Sequence, residues 1–537
     1  MDLNNHNRDI ERRTFLALTI AGLAALPLAS CSVDGTLRRT PNIVMVLADD
    51  IGPGDVGSIW RAHTGQPPVV PTPHIDQLIG DGMHFSRAYA PAPLCAPSRF
   101  AMLTGNYPYR NGTNPWGSWN PWVDSGIAPE NTTIANIART GGYATAFFGK
   151  WGCGGQLFDL MTGEPFSRTE LEQLDFTDPA DFEHFTSIFN AANHHGFDYA
   201  LELCRGIQSG PFAFFENGRW MPISEDSHFG RVGPEQHLAR KNLEPFDEIG
   251  DSNWDPRLVG PILTAKATDY IRARVSEHPS EPFFLYFCSQ AIHDPHTPPQ
   301  HLGETPIAGT TPTAHGDMIA EIDAQVGALV NCLKESGIYE ETLFVFTSDN
   351  GGFGTGNSLA PFGHDPTLGL RGSKNSVYEG GSRVPFVVTW PRVIEAGSHC
   401  PQPVVAHDIV ATVDAITTPQ IRDRKVKDSL SLLPIFSDDD ATESREAILY
   451  QAKKQGQQHA NWAIGRGRWK LVLRSESRSL AELEPIALFD LETNPEESET
   501  ENKLQIKGYE PIIRELTALF VDLRKSGRPT VIASSGR

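Results

Sequence analysis

The chain has 537 residues, of which 39% are hydrophobic, and its formal net charge is −21. This length is sufficient for one large catalytic domain and a smaller second domain, each with its own core. The negative charge argues against general binding to nucleic acids or anionic membranes, although a local cluster of basic side chains could still bind a small anion.

Residues 1–31 have the features of an export signal. Arg12-Arg13 precedes an apolar run at 17–28, which is too short to span a bilayer comfortably, and the segment ends in Leu28-Ala29-Ser30-Cys31. The paired arginines are similar to a twin-arginine signal, and the last four residues resemble a bacterial lipoprotein cleavage box. We therefore expect an exported bacterial protein, periplasmic or at the cell surface, anchored to a membrane only through a lipid at Cys31. An ordinary secretory signal with an incidental cysteine is the alternative.

In the next part of the chain, short apolar runs that predict strands alternate with amphipathic segments that predict helices. The predicted strands are 43–47, 143–148, 283–288, 343–347 and 385–389, and the predicted helices are 133–139, 262–275 and 318–334. This alternation predicts an α/β catalytic domain over residues 41–415, in which helices sandwich a large, mostly parallel sheet.

The composition changes from about residue 416, where charged stretches separate shorter apolar runs. Strands are predicted at 448–451, 462–465 and 469–473, and a helix at 509–523. Residues 416–537 are thus predicted to form a smaller subdomain, an antiparallel sheet with one helix. No long Gly/Ser or Pro-rich connector precedes it, which disfavours an independent module on a linker.

Oxygen-bearing side chains follow two of the predicted strands. Asp49 and Asp50 come after strand 43–47, and Asp349 and Asn350 come after strand 343–347. The carboxyl ends of parallel strands meet at one edge of a sheet, so these side chains are expected to gather there. Carboxylates so close together need a cation, and an all-oxygen set suits calcium or magnesium. Two separate strand-end turns are the simpler alternative.

The most informative segment is Pro93-Leu94-Cys95-Ala96-Pro97-Ser98-Arg99, which an apolar helical stretch and Thr104-Gly105 follow. Pro97 fits the first turn of a helix, so residue 95 would lie at a helix N-terminus, where the dipole favours anions. A thiolate would be an odd ligand beside hard carboxylates, because soft sulfur suits other metals. The alternative is a structural or reactive cysteine before a helix.

This segment resembles the signature of the type I sulfatases, in which the cysteine is oxidised to formylglycine. The resemblance extends from Pro41 to Leu491 and implies the alkaline phosphatase-like α/β fold. Further segments resemble family landmarks in the same order: Gly149-Lys150-Trp151, Pro295-His296-Thr297-Pro298, Leu370-Arg371-Gly372-Ser373-Lys374 and Tyr378-Glu379-Gly380-Gly381.

The resemblance implies that the protein hydrolyses a sulfate ester. We interpret the substrate as a sulfated carbohydrate. The nucleophile would be the hydrate of formylglycine 95, which a formylglycine-generating enzyme must produce, and its alkoxide would be stabilised by Arg99. Lys150 and Lys374 would bind the sulfate, and His296 would protonate the leaving alcohol. The implied metal is Ca²⁺, with Mg²⁺ as the alternative, and its ligands would be Asp49, Asp50, residue 95, Asp349 and Asn350.

One position departs from the family pattern. The family often continues Gly-Lys-Trp with a histidine that contacts the hydrate, whereas this chain has Gly152. His293, His194 or His195 could replace that contact, or the metal and lysines could suffice. In a nearby loop, Trp116, Trp119 and Trp122 could form either a sugar-stacking rim or an ordinary loop core.

Two other functions remain open from the sequence. A phosphomonoesterase or phosphodiesterase of the same superfamily would share the aspartate site, but such enzymes usually need two metals and more histidine ligands. A lipoprotein that binds sulfated glycans without catalysis is the second alternative, and Gly152 is its only support.

Overall fold

The computed structural model describes residues 40–533 except 112–115, 118, 120–121, 160, 174–184, 190, 239–247, 355–356, 418–424, 437–442, 454–459, 477–479 and 481. The predicted export signal at 1–31 therefore lies outside the described residues. Among the helices that are described, none has the length and apolar character needed to cross a membrane.

The strands of the described residues, numbered in chain order, are β1 Asn42–Ala48, β2 Met83–Phe85, β3 Ala88–Tyr89, β4 Val123–Ser125, β5 Ala144–Lys150, β6 Gly154–Asp159, β7 Phe185–Phe189, β8 Tyr199–Leu203, β9 Phe214–Glu216, β10 Arg219–Met221, β11 Phe229–Arg231, β12 Ile249–Asp251, β13 Phe283–Cys288, β14 His301–Leu302, β15 Thr305–Pro306, β16 Thr342–Ser348, β17 Phe386–Thr389, β18 Ser398–Cys400, β19 Val404–Val405, β20 Glu443–Arg445, β21 Ile448–Ala452, β22 Ala460–Arg466, β23 Trp469–Ser475, β24 Glu484–Asp490 and β25 Val531–Ala533.

The α-helices of the same residues are α1 Gly57–Thr64, α2 Pro73–Asp81, α3 Cys95–Thr104, α4 Ile134–Thr140, α5 Arg168–Gln173, α6 Pro234–His237, α7 Val259–Glu277, α8 Ala314–Glu335, α9 Glu379–Ser382, α10 Asp408–Thr417, α11 Leu433–Phe436 and α12 Glu510–Ser526. Each strand and helix predicted from the sequence is present, with ends that differ by at most four residues.

The main sheet has ten strands in the order β10-β9-β8-β5-β13-β1-β16-β17-β2-β18. Its five central strands, from β8 to β16, are parallel. The flanking pairs β9–β10, β8–β9, β16–β17 and β17–β2 are antiparallel, so the sheet is mixed around a parallel centre. The antiparallel pairing of β9 with β10 follows from the turn Asn217-Gly218 that joins them. Both residues of this two-residue turn have positive φ, 50° and 77°.

The alternation of side chains along the central strands builds two cores, one on each face of the sheet. In β1, Ile43, Met45 and Leu47 enter a cluster with residues of α3, α4 and α10. Val44 and Val46 enter a second cluster with residues of α1, α2, α7 and α8 on the opposite face. Strands buried on both faces are typical of parallel sheets between helix layers, which confirms the predicted α/β fold.

The C-terminal sheet β21-β22-β23-β24 is antiparallel, as predicted. On one of its faces, Trp462 and Leu471 pack with Phe520 of α12. On the other face, Tyr450 and Val472 pack in one cluster with Tyr89, Val377 and Val405 of the preceding part of the chain. The sheet is therefore covered on both sides and belongs to the same compact unit as the main sheet.

Candidate active site

Four neighbouring parallel strands, β5, β13, β1 and β16, end at the same edge of the main sheet. Polar side chains lie at or just after each of these ends. They are Lys150 at the end of β5, His293 after β13, Asp49 and Asp50 after β1, and Asp349 and Asn350 after β16. All of them are buried. The structure thus brings the two predicted aspartate segments together, as expected for the carboxyl edge of a parallel sheet.

Asp50 connects the two aspartate segments. Its backbone N–H donates to Oδ1 of Asp349 at 3.2 Å, and its Oδ1 accepts from Nδ2 of Asn350 at 2.9 Å. Its φ of 72° is left-handed, which Asp tolerates better than most residues. The side-chain oxygen of Asn350, Oδ1, is buried and accepts no hydrogen bond from the described residues. An oxygen in that position is available to a ligand such as a cation.

Two lysines reach the aspartates that follow β1. Nζ of Lys150 lies 2.5 Å from Oδ2 of Asp49. Nζ of Lys374 lies 2.6 Å from Oδ1 and 2.7 Å from Oδ2 of Asp50. The predicted sulfate-binding lysines therefore approach the same place from two sides, although 224 positions separate them in the sequence.

Arg99 supplies the third positive charge from α3. Its Nε and Nη2 donate to Oδ2 of Asp349 at 3.0 and 2.8 Å, and Nη1 donates to the carbonyl of Lys150 at 2.9 Å. Nη2 also lies 3.4 Å from Oδ2 of Asp49. This side chain is almost fully buried, so its charge depends on these partners.

The site holds three carboxylates and three cations in a buried environment. Burial opposes ionisation of Asp49, but the charges of Lys150 and Arg99 hold the pKa of its carboxyl below the ordinary value. For Asp349, burial and the charge of Asp49 raise the pKa to about 6, against the opposing effect of Arg99. Burial and the neighbouring carboxylates therefore oppose the charge of Asp349 more strongly than Arg99 and Lys150 favour it.

Cys95 is the first residue of α3, and the side chain of the preceding Leu94 does not cap the helix. Its Sγ lies 3.4 Å from Oδ1 of Asp49 and 3.9 Å from Oδ1 of Asp50. Burial, together with the charges of Asp349 and Asp49, raises the pKa of the thiol far above its ordinary value. An unmodified Cys95 would therefore stay protonated and be a poor nucleophile and a poor ligand.

A metal ion fits the side chains gathered here. Ligand atoms of Asp49, Asp50, Cys95 and His293 all lie within 4.8 Å of one another, and no other such group of His, Cys, Asp or Glu occurs among the described residues. The carboxylate oxygens suit a hard cation, whereas the thiol does not. An oxygen-bearing residue 95 would make the set consistent, with the unpartnered Oδ1 of Asn350 close by.

His293 faces this group. Its Nδ1 lies 2.7 Å from the carbonyl oxygen of Asp294, and its Nε2 lies 3.8 Å from Oδ2 of Asp50. The bond to a carbonyl places a proton on Nδ1. Burial and the charges of Lys374 and Lys150 lower the pKa of His293 to about 4.

His296, the histidine that the sequence motif had favoured, also feels the charge of Asp50. Its half-buried ring stacks on His315, with centroids 4.6 Å apart and ring planes inclined by 9°. Burial lowers its pKa. His293 has a ring nitrogen 3.8 Å from an oxygen of Asp50, whereas the ring of His296 packs on His315.

Comparison with known proteins agrees with this geometry. The sulfatase family model matches residues 41–418, which include every site residue described above. The chain belongs to the sulfatase family. A second model, the C-terminal region of N-sulphoglucosamine sulphohydrolase, matches residues 372–526. The family is the type I sulfatases of the alkaline phosphatase superfamily, as the sequence motif predicted.

Proteins named as sulfatases align with most of the chain. It is 28% identical to an N-acetylgalactosamine-6-O-sulfatase of Bacteroides thetaiotaomicron, over 91% of this chain and 94% of that protein. It is 30% identical to human arylsulfatase A, over 76% of this chain and 66% of that enzyme. A solved structure from the metabolism of multiple glycosaminoglycans by B. thetaiotaomicron superposes with a TM-score of 0.71 at 27% identity, covering 90% and 99% of the two chains.

Gly152, where many sulfatases have histidine, has a structural reason to be glycine here. Its φ is 73°, and a Cβ atom added to it would lie 2.9 Å from Cδ of Arg99. A side chain would therefore be strained and would press on the arginine that binds Asp349. Of the replacements considered, His293 lies in the site, and His195 stacks on Trp151 with centroids 5.7 Å apart.

The three tryptophans that could have formed a sugar-stacking rim are buried. Trp116 packs on Trp462 of the C-terminal sheet, and Trp119 on Phe100 of α3, at centroid distances of 5.0 and 6.2 Å. Trp122 belongs to a third apolar cluster. They form loop core, which was the other interpretation of this segment.

The backbone of the loop after β13 also holds the site, and the sequence did not predict this. Asp49 donates its N–H to the carbonyl of Ala291 at 2.9 Å and accepts from the N–H of Ile292 at 2.7 Å. These bonds hold the first aspartate of the site and His293 in a fixed relation. Backbone pairing of this kind leaves no signal in residue type, so no sequence pattern could have shown it.

Proposed function

We propose that this sulfuric ester hydrolase acts on sulfated carbohydrates through a formylglycine made from Cys95, with Ca²⁺ bound beside it and Mg²⁺ as the alternative ion. The observation that carries the proposal is the place of Cys95. It begins α3, it lies 3.4 Å from an oxygen of Asp49, and burial suppresses ionisation of its thiol. Burial disfavours the thiolate at this position, whereas an oxygen-bearing residue there would be well placed as a nucleophile.

The two absent groups would supply defined chemistry: a hydrated formylglycine offers a hydroxyl nucleophile, and calcium lowers the pKa of that hydroxyl and orients it. The residues that fit the ion are Asp49, Asp50, Asp349, Asn350 and residue 95. Of these, Asp49, Asp50 and residue 95 already lie together with His293, while Oδ2 of Asp349 is bound by Arg99.

The basic side chains of the site would stabilise negative charge on the nucleophile and on the sulfate group. Arg99 lies one turn after residue 95 on the same helix face, so its charge would stabilise an alkoxide there. Lys150 and Lys374 would bind the sulfate oxygens and offset charge that develops on them. Either His293 or His296 would protonate the departing alcohol. His293 would first have to take up a second proton on Nε2, since its Nδ1 proton is held by the carbonyl of Asp294.

A sulfated carbohydrate is the substrate class that the similar proteins favour. One relative is named for a 6-O-sulfate on N-acetylgalactosamine, and the similar solved structure comes from glycosaminoglycan metabolism. We therefore expect a sulfated sugar, although the loops that specify the alcohol differ between family members.

Cellular context follows from the first 31 residues and the modification. We propose an exported bacterial protein, periplasmic or at the cell surface, with a lipid on Cys31 as its membrane contact. The formylglycine requires a formylglycine-generating enzyme as a partner.

Mass spectrometry of the tryptic peptide 88–99 from protein made in its bacterial host tests the central claim. Residue 95 should have lost its sulfur and should react as an aldehyde. Cys95→Ala should abolish hydrolysis of 4-nitrophenyl sulfate and of sulfated N-acetylgalactosamine, whereas Cys400→Ala, at another buried cysteine, should not. A plain thiol at residue 95 in active enzyme would refute the proposal. Absence of turnover by converted enzyme would favour the binding alternative.

A further inference from the structure

A buried group of charges joins the C-terminal sheet to the catalytic part of the chain. We name it the junction cluster: Tyr89, Glu379, Arg383, Lys470 and Glu497. Nζ of Lys470 on β23 lies 2.9 Å from Oε1 of Glu379 and 3.0 Å from Oε1 of Glu497. The side chains of these three residues are 0%, 1% and 0% exposed, respectively.

The cluster is balanced and closed. The second oxygen of Glu379, Oε2, accepts from Tyr89 at 3.1 Å and from Arg383 at 3.0 Å. Nζ of Lys470 also lies 4.3 Å from the ring centroid of Tyr450. Two carboxylates thus face two cations, and removal of one cation would leave a buried negative charge without a partner, which is strongly unfavourable.

The cluster holds one end of the segment that carries Lys374. The backbone N–H of Glu379 donates to Oε2 of Glu497 at 2.5 Å. Next to it, Gly380 donates to the carbonyl of Arg371 at 2.8 Å, so the two ends of the loop 371–381 meet. Lys374 lies in the middle of this loop.

The other end of the loop is also held by the C-terminal part. Arg371 donates to the carbonyl of Glu497 at 3.1 Å and to the carboxylate of Glu499 at 2.7 Å. Its guanidinium stacks on Tyr378, 4.0 Å from the ring centroid. Both ends of the loop are therefore fixed by residues that follow β23 in the chain.

The same loop contacts the aspartate segments of the site. Gly351, directly after Asn350, donates to the carbonyl of Gly381 at 3.0 Å. Lys374 donates its own N–H to the carbonyl of Gly352 at 3.2 Å. A shift of the loop would consequently displace Nζ of Lys374 relative to Asp50, which it now approaches to 2.6 Å.

We propose that Lys470, outside the catalytic domain and remote from the reacting atoms, is a positioning residue for Lys374. It acts by anchoring Glu379 and Glu497, and through them the loop 371–381. The inference rests on the proposed role of Lys374 as a ligand of the sulfate group. The C-terminal subdomain is then a structural part of the active site.

A double-mutant cycle on converted full-length enzyme tests this, with 4-nitrophenyl sulfate as the substrate. Lys470→Met should lower kcat/KM on the order of tenfold to a hundredfold, the effect expected when a catalytic group is misplaced by about 1 Å. Lys374→Ala should lower it by at least as much. The double variant should be no worse than Lys374→Ala alone, because Lys470 acts through that lysine.

Arg445→Met is the matched control. Arg445 is also a buried cation of the C-terminal part, and it pairs with the buried Asp408 of the catalytic part, away from the loop 371–381. The Arg445→Met variant should have a Tm lowered about as much as that of Lys470→Met, yet its kcat/KM should be nearly unchanged. If Lys470→Met is not recovered folded, Glu497→Gln replaces it in the same cycle.

The outcomes separate the two claims. If Lys374→Ala is impaired but Lys470→Met or Glu497→Gln multiplies that loss in the double variant, the positioning role is refuted and Lys374 retains its role. Equal losses from Arg445→Met and Lys470→Met would also refute it. If Lys374→Ala hydrolyses the ester normally, the role proposed for Lys374 is wrong, and the inference about Lys470 is overturned with it.

Discussion

Arg99 donates two hydrogen bonds to one oxygen of Asp349, from Nε at 3.0 Å and from Nη2 at 2.8 Å. Its third nitrogen donates to the carbonyl of Lys150. One side chain therefore ties α3 to the ends of β16 and β5. The residue that begins α3, Cys95, is held against the aspartates as a result.

Replacement of Arg99 by lysine should weaken this arrangement, because an ammonium cannot reproduce the three-way contact of a planar guanidinium. We expect kcat/KM for 4-nitrophenyl sulfate to fall on the order of a hundredfold, together with a lower Tm. Arg61→Lys serves as the control. The side chain of Arg61 is 55% exposed, and its ion pair with Asp76 is long, at 3.8 Å. An Arg99→Lys enzyme with unchanged kinetics would contradict the arrangement.

Introduction of a methyl group at Gly152 should cost more than the backbone strain alone. Gly142 is the matched site, because its φ of 84° is also positive but nothing lies within 4 Å of an added Cβ. Gly142→Ala should lower stability by about 1–2 kcal/mol. Gly152→Ala should lower it further and reduce kcat, since the new Cβ would push Arg99 away from Asp349. Equal stabilities and unreduced kcat in urea-unfolding and kinetic measurements would show that the space around Gly152 is not limiting.

The two candidate histidines can be separated by substitution. His293→Ala should lower kcat by roughly 10²- to 10⁴-fold, as expected for loss of a general acid, because its ring lies against the aspartates. His296→Ala should have a much smaller effect, since its ring stacks on His315. Steady-state kinetics with an alcohol leaving group of high pKa, such as a sulfated sugar, provides the most sensitive measurement. The reverse order of effects would assign the proton to His296.

Removal of the metal should abolish activity and lower the Tm. Chelation is expected to reverse on addition of Ca²⁺, and the Tm should rise with ion concentration, because only the folded state assembles the site. Asp50→Asn should lose most of this calcium-dependent rise, whereas Asp226→Asn, at an exposed aspartate, should keep it. If the Tm of the native sequence did not change with calcium concentration, the proposed ion would be wrong.

Glu321 should make the stability depend on pH. It is buried between α7 and α8, its Oε1 accepts from Gln290 and Gln325, and burial raises its pKa from 4.5 to about 8. The unfolded chain loses this proton near pH 4.5 and the folded chain only near pH 8. Stability should therefore fall as the pH rises between these values, on the order of a few kcal/mol in total.

Glu321→Gln keeps the acceptor and removes the ionisation. At pH 8 this variant should melt at a higher temperature than the native sequence, and at pH 5 the two should agree. Glu304→Gln, at an exposed position, should change neither value. An equal Tm difference at both pH values would show that Glu321 does not titrate in this range.

Local patterns were sufficient to predict the central strands and the place of the site. Strands such as Phe283–Cys288 are entirely apolar because both faces are buried, and this makes them conspicuous. Asp49 and Asp349 could be brought together by reasoning because parallel strands end at one edge. The antiparallel flanks were missed, although Asn217-Gly218 is a hairpin signal that could have indicated one of them.

Other features depend on tertiary contacts that no local pattern contains. His293 and His296 are three residues apart in similar surroundings, and only the fold shows that one ring faces Asp50 while the other stacks on His315. Lys470 appeared to be an ordinary strand residue. Its partner Glu379 is 91 positions away, so the burial of the pair could not be inferred.

The double-sided packing of the C-terminal sheet has a consequence for how such enzymes evolve. The second family model begins at residue 372, two residues before Lys374, rather than at the start of the sheet. Recombination near residue 416 would separate Lys470 from Glu379 and expose the apolar face that covers Tyr89. We therefore expect the loop 371–381 and the C-terminal sheet to be inherited together in new sulfatases. Such enzymes should diversify by changes in other loops.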